Sequence, residues 1–312
     1  MPLAPAEVQG SAETYGGDSR REVANPANDP DAVLWSRSVV SFIPWSSLEP
    51  LGPDQHRVSA MTLRDRYQVC GFEPFRAQPS AAFCSGFLVG EDLVATAGHC
   101  YRQATACDDY AIVFGFAWDF VGDNPLIVAN DDLYSCSEVV ERHVTKLKRD
   151  YALVRLDRAV AGRAPLPIDR ERRAEVGGAL VMIGSPSGLP LKIDEGVAVH
   201  EAITDAPIFV TTADAYSRGS GSPLLRDGSV VGLHVAGASD FVKHPSGCYY
   251  SRPCADVGTQ SGCPGSIELH ADVFAEDVPL LPAPPPDAPP PNEPPPDEPP
   301  PDELPPDEPP VP

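Results

Sequence analysis

The chain has 312 residues, enough for one large β domain or two ordinary ones, and its 42% hydrophobic content supports a buried core. A formal net charge of −22 argues against a nucleic-acid partner, because a phosphate backbone is neutralised by Lys and Arg. No apolar run approaches the length of a membrane helix.

Residues 1–33 are rich in Pro, Gly, Asn and acidic groups and read as an irregular leader. The opening MPLAPAEVQG lacks the basic stretch and apolar core of a secretory signal. DPDAVLWSRSVVSFI is expected to begin as helix and continue as strand. The runs CSGFLVG, DLVATAG, YAIVFGFAW, PLIVA and YALVRL follow, then ALVMIG, PIFVTTA and SVVGLHVAG. They are short, β-branched and aromatic, with Gly, Pro and Asp at their junctions, a pattern that predicts an all-β sandwich or barrel. LHADVFAEDV is expected to close the domain with a short helix or strand. Residues 282–312 hold 18 prolines and eight acidic residues in an approximate P-P-P-D-E repeat, which leaves a charge of −14 on the rest of the chain. Such a tail cannot pack a core and reads as an extended, self-repelling spacer, here a candidate cell-surface stalk.

Eight cysteines lie at uneven spacings with no C-x-x-C pair among them. That pattern favours disulfides over a zinc site, and an extracytoplasmic protein, secreted or at the cell surface.

A hydroxyl becomes a nucleophile when an imidazole takes its proton and an acid holds that imidazole in the right tautomer. TAGHC offers His99, RDYALVRL offers Asp150 at the head of an apolar strand, and SRGSGSPLL offers Ser220 between two glycines. Alone, His99 reads equally well as a core histidine, Asp150 as a strand-edge charge and Ser220 as a loop serine. In the order His, Asp, Ser they form a strong combined signal. Asp108 and Asp109 lie close to His99 in the chain and are poorer candidates for the acid.

On these motifs the chain resembles the chymotrypsin-like (trypsin-fold) serine proteases, and within them the bacterial glutamyl endopeptidase-like branch. CSGFLVGEDLVATAGHC is similar to the family's histidine motif, DYALVRL to its aspartate motif and GSGSPLL to its serine motif. TYGGDSRREV resembles the start of mature enzymes in that branch. The resemblance implies two antiparallel six-stranded β-barrels, barrel one over about 34–162 and barrel two over about 163–280, followed by the tail at 281–312. His99 and Asp150 would sit on the first barrel and Ser220 on the second. It also implies a Cys84–Cys100 disulfide. Cys107 and Cys136 flank YAIVFGF and are candidates to join two strands of the first barrel, while Cys70, Cys248, Cys254 and Cys263 can pair in three ways.

The family's oxyanion hole falls on the backbone N–H groups of Arg218 and Ser220. Glycine is usual at the first of these, so a Cβ there threatens the donor. Gly219 stands where animal trypsin-like enzymes carry the Asp that receives a new N-terminal ammonium, so activation by that salt bridge is not expected. Asp214 occupies the position whose carboxylate selects Lys or Arg in trypsin. His234 occupies the position of a histidine that contacts acidic side chains in glutamyl endopeptidases. The two point to opposite substrates. The resulting expectation is a serine endopeptidase acting on proteins or peptides, after acidic residues, with no cofactor or metal. The alternative is a catalytically weak trypsin-fold module that binds protein partners from a proline-rich stalk.

Overall fold

Short strands that are apolar on both faces need cover on both sides, and closing them into barrels packed on one another provides it. The computed structural model describes residues 13–101, 107–118, 127–145, 148–202, 205–237, 241–255, 257 and 263–281. Six antiparallel strands of the first half close in the circular order Val39–Pro44, Cys84–Leu88, Leu93–Thr96, Arg149–Leu156, Leu133–Thr145 and Tyr110–Phe114. Six more close in the order Ala179–Gly184, Pro223–Arg226, Ser229–Ala236, Ser266–His270, Ile208–Thr211 and Lys192–Ala202. The all-β, two-barrel expectation therefore holds. Every residue of Cys84–Leu88 and Leu93–Thr96 is buried. One apolar cluster runs from Phe42 and Phe87 in the first barrel to Leu225 and Leu233 in the second.

DPDAVLWSRSVVSFI opens as helix Pro30–Ser36, capped by the Asp29 carboxylate accepting from Asp31 N–H, with proline in the first turn. It then becomes the first barrel strand. LHADVFAEDV completes the strand Ser266–His270 and ends in two 3-10 turns, Ala271–Val273 and Ala275–Asp277. PLIVA contributes Ile127–Ala129 to a separate three-stranded sheet with Leu48–Pro50 and Gln55–Val58, outside either barrel.

Residues 13–33 are not irregular. Glu13–Tyr15 pairs in parallel with Arg252–Cys254, and Arg20–Glu22 adds an antiparallel seventh strand against Lys192–Asp194. Composition misleads here because two of the segment's charged residues, Arg20 and Glu22, are buried against partners. Arg20 is 5% exposed and Glu22 4%. Lys192 Nζ donates to Glu22 Oε2 at 3.0 Å, to Gln78 Oε1 at 3.0 Å and to Pro190 O at 2.8 Å. Burial drives the lysine down to about 8. Residues 1–12 and the tail at 282–312 lie outside the described residues.

Four disulfides use all eight cysteines, the usual state of an oxidising compartment. Cys84–Cys100 and Cys107–Cys136 form as expected, and the open set resolves into Cys70–Cys248 and Cys254–Cys263. Among the described residues no helix is long and apolar enough to cross a membrane.

Glu22→Ala leaves the buried Lys192 ammonium without its counter-charge and should cost about 3–5 kcal/mol in denaturant unfolding. Lys192→Met in the Glu22→Ala background should recover most of that loss. A purely additive cycle would show that the two groups are not coupled.

Candidate active site

His99 sits in the 3-10 turn Gly98–Cys100, directly after strand Leu93–Thr96. A Cβ on Gly98 would lie 2.1 Å from His143 O and 2.8 Å from Tyr151 O. Both neighbours are backbone, so only glycine lets the turn press against the strands that carry them. The Cys84–Cys100 bridge, with Cα atoms 6.2 Å apart, fixes the other side of the turn.

Asp150 lies near the start of strand Arg149–Leu156 and holds His99 twice. The backbone N–H of His99 donates to Asp150 Oδ1 at 2.9 Å, and the ring Nδ1 lies 2.8 Å from Oδ2. An ionised carboxylate only accepts hydrogen bonds, so Nδ1 carries the proton and Nε2 keeps its lone pair. The imidazole remains 39% exposed while the carboxylate is 17% exposed. The ring is thus fixed at Nδ1 while the side chain stays partly open to solvent.

Ser220 comes from the loop between Ile208–Thr211 and Pro223–Arg226 of the second barrel. Its carbonyl accepts from Ser85 N–H of the first barrel at 2.8 Å, and Cys100 Sγ lies 3.8 Å from the same oxygen. The next residue, Gly221, has φ +88° and donates to His234 O at 2.7 Å. A Cβ at Gly221 would lie 2.1 Å from Ser85 O and 3.0 Å from Ala97 N. The serine loop is thus pressed directly against the histidine turn. Ser220 is placed through its backbone, by the hydrogen bond its carbonyl accepts from Ser85 N–H.

Arg218 has φ +65°, a left-handed backbone that keeps the glycine-like turn in spite of its Cβ. Its guanidinium is engaged elsewhere, donating through Nη1 to Ala82 O at 3.0 Å.

The two specificity candidates are both buried, His234 at 2% and Asp214 at 0% exposed. Asp214 faces the N-terminal segment. Its Oδ1 accepts from Tyr15 N–H at 3.2 Å and its Oδ2 from Ser19 N–H at 3.0 Å. His234 Nδ1 lies 3.1 Å from Glu268 Oε2, and Glu268 Oε1 accepts from Thr211 Oγ1 at 2.9 Å. The opposite edge of the ring faces Gly237, where a Cβ would lie 3.9 Å from Nε2. Sequence reasoning named neither Ser19 nor Glu268. Glu268 lies within the run IELH, whose alternation does mark it as facing away from Ile267 and Leu269.

Two closed barrels, with a histidine–carboxylate pair on one and a glycine-flanked serine on the other, define the architecture of a trypsin-fold peptidase. Residues 84–233 match the trypsin-like peptidase domain. The structure is similar to that of HBP, with a TM-score of 0.50 and 14% identity over 86% of this chain and 99% of that one. Human heparin binding protein gives a TM-score of 0.49 at 14% identity over 85% of this chain and 94% of its own. Glu endopeptidase in complex with MPD gives 0.47 at 16% identity, covering 84% and 96%. At these identities the likeness to HBP is one of fold. No curated protein matches the chain in sequence.

Gly98→Ala should displace the His99 turn by a substantial fraction of an ångström, since backbone lies on every close side. Hydrolysis of a reporter ester should fall about 100-fold, with Cys84–Cys100 still formed by mass mapping.

Proposed function

We propose that the chain is a serine endopeptidase in which Ser220 is the nucleophile, His99 the general base and Asp150 the group that orients His99. The double hydrogen bond from His99 to Asp150, beside a serine loop anchored on the histidine turn, is the observation that carries this reading. Ser220 Oγ attacks the substrate carbonyl while His99 Nε2 takes its proton. The tetrahedral oxyanion is met by the N–H groups of Arg218 and Ser220. His99 then protonates the leaving amine, an acyl-enzyme remains, and water activated by the same imidazole releases the acid. No step in this sequence needs a metal or cofactor. Four disulfides suit a secreted or surface-displayed enzyme, with the proline-rich tail as a candidate tether.

Cleavage after acidic residues is the specificity we favour. Asp214 is spent on Tyr15 and Ser19, which removes the carboxylate that would attract Lys or Arg. His234, held at Nδ1 by the fully buried Glu268, turns the opposite edge of its ring toward the side-chain-free Gly237.

A fluorophosphonate probe should label Ser220, and Asp150→Asn should lower kcat by about ten-thousand-fold, because the amide presents a donor to Nδ1 and favours the wrong tautomer. Failure of the probe to label folded protein would instead favour the catalytically weak binding module.

For a Glu substrate, His234→Ala should lose about 1–3 kcal/mol in kcat/KM, read against an Arg substrate in the same buffer. Equal loss for both substrates would remove His234 from specificity.

A further inference from the structure

The segment Asp214–Gly221 combines three left-handed residues, Tyr216 at φ +52°, Arg218 at +65° and Gly221 at +88°. Two of these carry a Cβ, and each costs on the order of 1–2 kcal/mol, so such a loop keeps its shape only if its surroundings hold it. Arg218 Nη1 reaches Ala82 O, Ser217 O accepts from Ser187 N–H, and Tyr216 Oη donates to Ser251 Oγ at 2.6 Å. At the far end Ser220 O accepts from Ser85 N–H and Gly221 N–H donates to His234 O. Residues 15–20 anchor the near end. The Arg20 guanidinium stacks 3.9 Å from the Tyr216 ring centroid and is itself gripped by Asp18 at 2.7 Å. Tyr15 N–H and Ser19 N–H both donate to the Asp214 carboxylate.

Ser19 does more than donate once. Its Oγ lies 2.6 Å from Asp194 Oδ1 and 3.2 Å from Asp214 Oδ2, so one hydroxyl bridges two buried carboxyl groups. Asp194 in turn accepts from Asp214 N–H at 3.0 Å and from Gly196 N–H at 2.9 Å. Two carboxylates this close and this dry repel, unless a proton is shared between them through an intervening hydroxyl. Burial, reinforced by the Asp194 charge, raises Asp214 well above the usual carboxylate range. Asp214 protonated on Oδ2 would donate to Ser19 Oγ, which donates to Asp194 Oδ1. That chain uses the hydroxyl's one proton and one of its two lone pairs.

We propose that Ser19 is a positioning residue for the nucleophile: it clamps the Asp214–Asp194 pair and so sets the backbone of the loop that carries Arg218 and Ser220. This rests on the peptidase reading above only for its catalytic consequence. The clamp is internal to the chain and uses a hydroxyl and main-chain N–H groups, so it needs no free amino terminus. Without the hydroxyl, two buried carboxyl groups face each other unbridged, and the strained loop loses an anchor six residues before Ser220.

The test uses the full chain. Ser19→Ala should raise hydrogen exchange of the amides at 215–222 over wild type, with the amides of the first-barrel strands unchanged. It should lower kcat and the fluorophosphonate labelling rate by about 10- to 100-fold with KM within about threefold, the signature of a lost transition-state geometry rather than lost substrate binding. Ser19→Thr, which keeps the hydroxyl, should restore exchange and kcat to near wild type. If Ser19→Ala does not fold, Asp194→Asn carries the same comparison, since both Asp194 oxygens accept hydrogen bonds and an amide of the same volume turns a donor toward donors. Exchange at 215–222 equal to wild type in a folded variant, or an equal fall for Ser19→Thr, overturns the proposal. If wild-type Ser220 resists labelling while Ser19→Ala still loosens 215–222, the clamp stands and the peptidase reading falls.

Discussion

The main-chain hydrogen bond from Ser85 N–H to the Ser220 carbonyl joins the two barrels where the candidate chemistry lies. Ser85 belongs to the strand tied by Cys84 to the histidine turn, so the same few atoms locate both His99 and Ser220. Barrel closure gives this joint its rigidity. Each barrel has no free edge to fray, and its inner face is filled by side chains at the density of a solid. Gly98 and Gly221 are the positions where the two halves come too close for any Cβ. A chain that failed at this joint would still contain His99, Asp150 and Ser220, but not the contact that presses the serine loop against the histidine turn.

The buried charges follow a second logic. The molecule is strongly acidic, yet its interior holds Arg20 and Lys192 as well as Glu22, Asp194 and Asp214. Isolated ions there would be costly, and all five gather where the N-terminal segment crosses the second barrel. Asp18 grips Arg20 with both oxygens, and Glu22 shares Lys192 with Gln78. The segment is therefore bound by pairs that pay for their burial only when complete. That all-or-none character suits an element that sets the geometry of a strained loop nearby.

Legibility in the sequence was uneven, for physical reasons. Strands were readable because period-two burial and β-branched runs are local properties, and the helix at Pro30–Ser36 was readable from its Asp29 cap and proline. His99, Asp150 and Ser220 stood out through motifs whose flanking glycines are steric necessities. The segment at residues 13–33 was misread as irregular because charged residues count as surface in any composition argument, and pairing across 170 positions in sequence is invisible to it. Asp214 was legible as a pocket candidate, but its partners Tyr15 and Ser19 lie 199 and 195 residues away.

By itself the sequence determined the all-β character, the resemblance to trypsin-like peptidases and the candidates for base, orienting acid and nucleophile. Those depend on functional-group type and on short-range pattern, which the chain carries in every conformation. Only the tertiary structure decided how the four remaining cysteines pair, that His234 is backed by Glu268, and that Asp214 turns from the expected pocket to the N-terminal segment. Each of these is a contact between distant segments, and its free energy exists only once the two barrels have closed and excluded water from the space between them.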